Sequence, residues 1–193
     1  MSPVAERPLL VLDVDETLIH SPDTVLAERR PDFWVGPHAI YERPGVRAFL
    51  REAATRFELA IWSSADRSYV LGIIERIAEG VAFEFIWGVE RCTPRRDIEY
   101  DELHWLKDVK KVVRRGWDRR RVLMVDDSRE KLARNHGNAI YVAPFLGDPA
   151  DDELPMLATY LASISGEPDF RRSGKSWPSA ESGIGGAGVE PAR

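Results

Sequence analysis

Apolar positions along this chain follow two periods. Mostly apolar runs at Leu9–Val14, Phe57–Trp62, Ala82–Trp87, Val122–Val125 and Ala139–Val142 have the length and composition of buried strands. Between them, apolar residues recur three and four apart. Pro44-Gly45 opens a helical stretch through Arg56, with Val46, Phe49, Leu50 and Ala53 on one face. Asp66 can cap a second helix carrying Val70, Ile73, Ile74 and Ile77, and Gly80 suits its end. The spacing of Leu103, Leu106, Val109 and Val113 predicts a helix over Asp101–Arg114. Two more are expected, at Arg129–His136, closed by Gly137, and at Leu154–Ile164. Strands alternating with helices predict an α/β fold: a doubly wound, Rossmann-like, mostly parallel sheet with helices on both faces. Ligands of such sheets sit at the carboxyl ends of the strands. Asp13, Ser63 and Asp126 all fall where an apolar strand ends.

Composition narrows this only a little. The 193 residues suit one domain, and 44% hydrophobic with 31% charged residues is ordinary for a soluble fold. From about Ser165 the chain becomes rich in Gly, Ser and Pro, with six of the fourteen glycines. The expected organisation is a domain over 1–164 and a disordered tail over 165–193. A net charge of −5 gives no global reason to expect a nucleic-acid or membrane partner. Lys107–Arg121 is a local exception, with eight Lys/Arg against two Asp. It reads first as a solvated helix face and turn, with electrostatic guidance of an anionic substrate as the sharper alternative. Cys92 is the sole cysteine, so no intrachain disulfide is possible. No basic-then-apolar leader opens the sequence, and no apolar run is long enough to span a bilayer. The expected location is cytoplasmic.

The chemistry concentrates in LLVLDVDETLIH, Leu9–His20. In an extended strand, side chains at i and i+2 point the same way, so Asp13 and Asp15 could face one site. Two carboxylates that close repel, and a divalent cation with oxygen ligands would relieve the repulsion. One could then attack an electrophile while the other transfers a proton. The plain alternative is that Asp13 ends the strand and Asp15 caps a turn. MVDDSREK, Met124–Lys131, supplies a second acidic pair after a second strand. Asp127 and Ser128 read as helix caps, whereas Asp126 has the position of a metal ligand opposite Asp13. Ser63 could donate to a phosphate oxygen or cap a helix. Lys107, taken alone, reads as a surface lysine.

In order, DVDETLIH, YERPGVRAFL, FELAIWSSADRSYV, LKDVKKV and VDDSREKLARNHGNAIYVAPFLGDPADDEL resemble the haloacid-dehalogenase superfamily. More narrowly, they resemble its small RNA-polymerase C-terminal-domain phosphatases and their NLI-interacting-factor-like relatives. The resemblance covers about Leu9–Leu161. It implies Asp13 as nucleophile, Asp15 as general acid and then base, and Thr17 as a support for the nucleophile loop. It implies Ser63 as a ligand of the transferring phosphoryl group and Lys107 as its counter-charge. It implies Mg²⁺ held by Asp13, Asp126 and the Asp15 backbone carbonyl, with Asp127 assisting. The second motif, often Thr-Ala-Ser in this branch, is Ser63-Ser64-Ala65 here, which makes Ser64 an alternative donor. Lys110 and Lys111 compete with Lys107, which matches the Lys-Asp element. For His20 a packing or hydrogen-bonding role is expected.

The resemblance also bears on access. Leu18–Arg43 offers about two dozen residues for a first insertion and Val89–Tyr100 fewer for a second. Neither can hold an independent core, so no separate cap domain is expected and the site should be open. Phe33, Trp34 and Tyr41 could form an aromatic rim or pack on the sheet edge. The resulting expectation is a Mg²⁺-dependent phosphomonoester hydrolase acting on phosphorylated protein. A small phosphate ester, a nucleic-acid 3′-phosphate or a non-catalytic protein-binding role are the alternatives.

Overall fold

The computed structural model describes residues 7–97, 102–172 and 177. Five strands form one parallel sheet: β1 (Leu9–Leu12), β5 (Glu58–Trp62), β6 (Ile86–Trp87), β9 (Val122–Asp126) and β10 (Ala139–Tyr141), in the order β10-β9-β1-β5-β6. All five lie within or around the apolar runs that predict them. β1 is central and buried along its whole length.

Alternation along β1 divides the interior in two. Leu10 and Leu12 face a core shared with α1 (Val46–Ala54), α2 (Arg67–Ile77) and α4 (Glu153–Ile164), through residues such as Phe49, Ile73 and Leu157. Leu9 and Val11 face a second core with Trp62, Met124, Val109, Val112 and Leu132. The two faces are covered unequally. The three longer helices share one face. The other is covered by α3 (Lys110–Val113), a single turn, and by the turns that follow β9.

One expected helix, Asp101–Arg114, is cut to the single turn of α3, and another, Arg129–His136, does not form; the reason is the same in both. Glu102–Leu106 is a strand, β8, paired antiparallel with β7 (Thr93–Asp97). Its helical spacing misleads because Leu103 is 54% exposed, while Val109 and Val112 reach the second core from beyond the end of the strand at Leu106. Arg129–His136 is a series of turns. The carbonyl of Lys131 accepts a hydrogen bond from the Lys107 N–H at 2.8 Å, and Asn135 N–H bonds Leu132 O three residues back. Tertiary partners take the groups a helix would pair internally.

The two insertions stay small. Leu18–Arg43 yields an antiparallel sheet, β2-β4-β3 (Ile19–His20, His38–Glu42, Phe33–Val35). Its aromatics divide: Tyr41 is buried, Phe33 packs against the main core, and Trp34 is 50% exposed. The boundary at residue 164 also moves. Phe170 is fully buried against the helical core, and its N–H donates to Arg120 O at 2.9 Å. Farther on, Trp177 donates from Nε1 to Tyr141 O at 2.9 Å. The change in composition at Ser165 marks the end of α4, not the end of packing. The remainder of the expected tail lies outside the described residues.

Candidate active site

Asp13, Ser63 and Asp126 come together at the carboxyl ends of β1, β5 and β9. The parallel register sets this directly: Leu12 pairs with Ile61 on one side and with Val125 on the other. Asp13 N–H extends the ladder to Val125 O at 3.0 Å, and Ser63 N–H bonds Trp87 O at 3.0 Å. All three side chains are buried.

Lys107 joins the two acids. Its Nζ lies 2.5 Å from Asp13 Oδ1 and 2.6 Å from Asp126 Oδ2, and the side chain is 1% exposed. The backbone around it is fixed on both sides. Asn135 donates from Nδ2 to Lys107 O and accepts from Val109 N–H, while Lys107 N–H is bonded to Lys131 O. Lys110 is exposed and Lys111 donates to Arg91 O, so the competition among the three lysines resolves to Lys107. Burial opposes the ammonium, but Asp126 and Asp13 outweigh it and raise its pKa.

Asp13 and Asp15 meet different surroundings. Burial raises the Asp13 carboxyl, yet Lys107 and Lys131 overcome that and leave it below its ordinary value. Thr17, fully buried, places Oγ1 3.4 Å from Asp13 Oδ2. Asp15 turns away from this cluster. Its Oδ2 accepts from Ser63 Oγ at 3.1 Å and its Oδ1 from Tyr69 Oη at 2.9 Å. Burial, then the charge of Asp13, pushes Asp15 above its ordinary value. Tyr69 is itself pushed up, by burial and then by Asp15, so it remains a donor. Among the described residues, Ser64 makes no side-chain hydrogen bond to these acids.

The loop that carries the acids is held from outside. Glu16 adopts φ 60°, a left-handed backbone, and its carboxylate lies 2.7 Å from His20 Nδ1. Phe145 N–H donates to Glu16 O at 2.7 Å. Arg43, fully buried, gives Nη1 to Thr17 O at 3.1 Å and a two-pronged ion pair to Asp151 at 2.7 Å on each side. That fork matches a carboxylate's geometry and fixes the approach of the 143–151 segment.

One oxygen each from Asp13, Asp126 and Asp127 lies within 4.8 Å of the others. Asp127 Oδ1 is buried and has no hydrogen-bond donor among the described residues. An all-oxygen set with an unsatisfied member suits a hard divalent cation. Asp127 therefore belongs to the cluster more directly than its expected helix-capping or assisting role. Asp126 takes the capping bond instead, accepting from Ser128 N–H at 2.9 Å. The Asp15 carboxylate is not part of this set. Any share Asp15 has in holding a cation falls to its backbone carbonyl.

Sequence reading misses Tyr69, Arg43, Asp151 and Lys131. Tyr69 and Arg43 carry no local signal. Lys131 has one, since it stands four residues after Asp127.

The fold and the paired acids at its strand ends define a haloacid-dehalogenase-like domain. Residues 8–171 match the family described as NLI interacting factor-like phosphatase, and the chain belongs to that family. A probable C-terminal domain small phosphatase of Dictyostelium discoideum is 28% identical over 170 residues, covering 84% of this chain and 52% of that protein. The human carboxy-terminal domain RNA polymerase II polypeptide A small phosphatase 1 is 26% identical over 169 residues, covering 83% and 60%. The chain thus spans about half the length of these relatives. The fold is shared with fission yeast RNA polymerase II CTD phosphatase Fcp1, at TM-score 0.54 and 18% identity, over 82% of this chain and 50% of that one. Among the described residues no helix is long and apolar enough to cross a membrane.

Proposed function

We propose that this domain is a Mg²⁺-dependent phosphomonoester hydrolase that forms an aspartyl-phosphate on Asp13 and acts on phosphorylated protein. One observation carries the reading. Asp13 is held ionised by ammonium partners, while Asp15, two residues on, accepts from hydroxyls, and burial and then the Asp13 charge keep its pKa above the ordinary value. A nucleophile needs the first setting and a proton donor the second.

The Asp13 carboxylate attacks phosphorus, and the ester P–O bond breaks as Asp15 gives its proton to the leaving oxygen. Asp15, now a carboxylate, takes a proton from water as that water attacks phosphorus. The bond from Asp13 to phosphorus breaks and inorganic phosphate leaves. Ser63 and Lys107 offset charge on the phosphoryl oxygens. Asp13, Asp126, Asp127 and the Asp15 carbonyl would hold the cation, which supplies the charge neutralisation that lets an anion attack an anion.

The protein-substrate reading is supported by the names of the relatives and by the small insertions beside the site. Assay of a generic aryl phosphate with and without Mg²⁺ tests the chemistry. Turnover requiring Mg²⁺ and lost in Asp13→Asn is expected. No turnover above that control would sink the hydrolase in favour of a binding module. Phosphopeptides compared with phosphometabolites and 3′-phosphorylated oligonucleotides at matched concentrations test the substrate class, and peptides should be preferred.

A further inference from the structure

Two lysines approach the acidic cluster, and the proposed reaction uses only one. Lys107 is locked in place, buried and within hydrogen-bonding distance of two carboxylates. Lys131 differs in each respect. Its Nζ lies 3.6 Å from Asp13 Oδ2, 3.9 Å from Asp126 Oδ1 and 3.7 Å from Asp127 Oδ1. The ammonium is attracted to all three residues of the oxygen set but lies beyond ordinary hydrogen-bond length from each. Its side chain is 24% exposed, so its flexible stem has a path toward solvent. Its backbone stays fixed whatever the side chain does, because Lys131 O is bonded to Lys107 N–H.

We propose that the Lys131 ammonium is the resident counter-ion of the cation site and competes with the divalent metal for it. The inference rests on reading Asp13, Asp126 and Asp127 as that site. Without metal, Lys107 alone leaves the clustered carboxylates under-neutralised, and Lys131 supplies the missing charge. With metal, two cations would share a partly buried space a few ångströms wide, where like charges repel strongly. Metal binding therefore moves the ammonium outward and is weaker than the acidic set alone would give. The domain is buffered against loss of metal and responds to metal only above a raised threshold.

Calorimetric titration of the full-length, metal-free protein with Mg²⁺ tests this, using wild type, Lys131→Met and Lys131→Arg. Met has a similar length without the charge. Lys131→Met should bind Mg²⁺ about tenfold more tightly or better, and Lys131→Arg should stay close to wild type. Without metal, Lys131→Met should melt below wild type, and saturating Mg²⁺ should close the gap. If Lys131→Met does not fold without metal, Lys131→Gln takes its place. A Mg²⁺ affinity in the neutral variant equal to or weaker than wild type overturns the role of Lys131 and leaves the hydrolase reading standing. Absence of Mg²⁺ binding in every variant overturns the cation site itself, and this inference with it.

Discussion

On one side of the loop after β1, the carboxylate of Asp13 is met by two lysines; on the other, the carboxylate of Asp15 is met by two hydroxyls. Both groups are largely buried, and burial alone would raise both. Only the partners differ. Ammonium groups hold a carboxylate in its charged form, while a neutral hydroxyl steadies it without removing its pull on a proton beside a negative neighbour. Chemically identical residues two positions apart thus acquire opposite tendencies. The lesson is that the motif supplies two acids, but distant segments assign their roles: the Lys107 and Lys131 segments on one side, α2 and the end of β5 on the other.

That contrast can be broken at each partner. The largest effect is expected from Asp13→Asn, with turnover down on the order of 10⁴-fold or more. Phosphoenzyme should be undetectable by acid-quench labelling, and the domain should stay folded but melt below wild type, because Lys107 and Lys131 favour the charged form of Asp13. Asp15→Asn should slow turnover by about 10²- to 10⁴-fold; a rate near wild type would show that the hydroxyl side has no part in proton transfer. Lys107→Met strands buried carboxylates without their partner. It should lower the unfolding free energy of the metal-free protein by about 3–5 kcal/mol in urea titrations, and added Mg²⁺ should recover part of that loss. Tyr69→Phe removes one donor from Asp15 and keeps the ring that meets His38 edge to face. Its kcat should fall about tenfold, as for loss of one hydrogen bond to a charged group, with KM little changed and melting intact. An equal loss in kcat and stability would make Tyr69 a packing residue.

The sequence made the sheet and the acids legible because both depend on local pattern. Runs such as Leu9–Leu12 have one stable disposition, and Asp13 and Asp126 fall at their ends by counting. What stayed hidden depends on partners far along the chain. The segment from Glu102 to Leu106 has helical spacing but pairs with β7, a choice made by the hairpin. The turns at 129–136 give up helical bonding because Lys107 claims the Lys131 carbonyl. Phe170 lies in a stretch whose composition suggests no packing, yet it fills the helical core. Tyr69 sits on α2 where a half-buried aromatic is unremarkable, and only the position of Asp15 gives it a task. Conversely, Tyr41 and Phe33 could have been rim residues, but Tyr41 is buried and Phe33, half-buried, packs against the helical core.

The clamp between Arg43 and Asp151 joins residues 108 apart in the chain. Contacts of such span form late, because a long loop must close first. A chain emerging from the ribosome presents its acidic motif well before Asp151, and the loop bearing that motif lacks its anchor until the later segment has been made and docked. Synthesis thus runs far ahead of competence, and a fragment that stops short of Asp151 would carry the signature residues without a working arrangement of them.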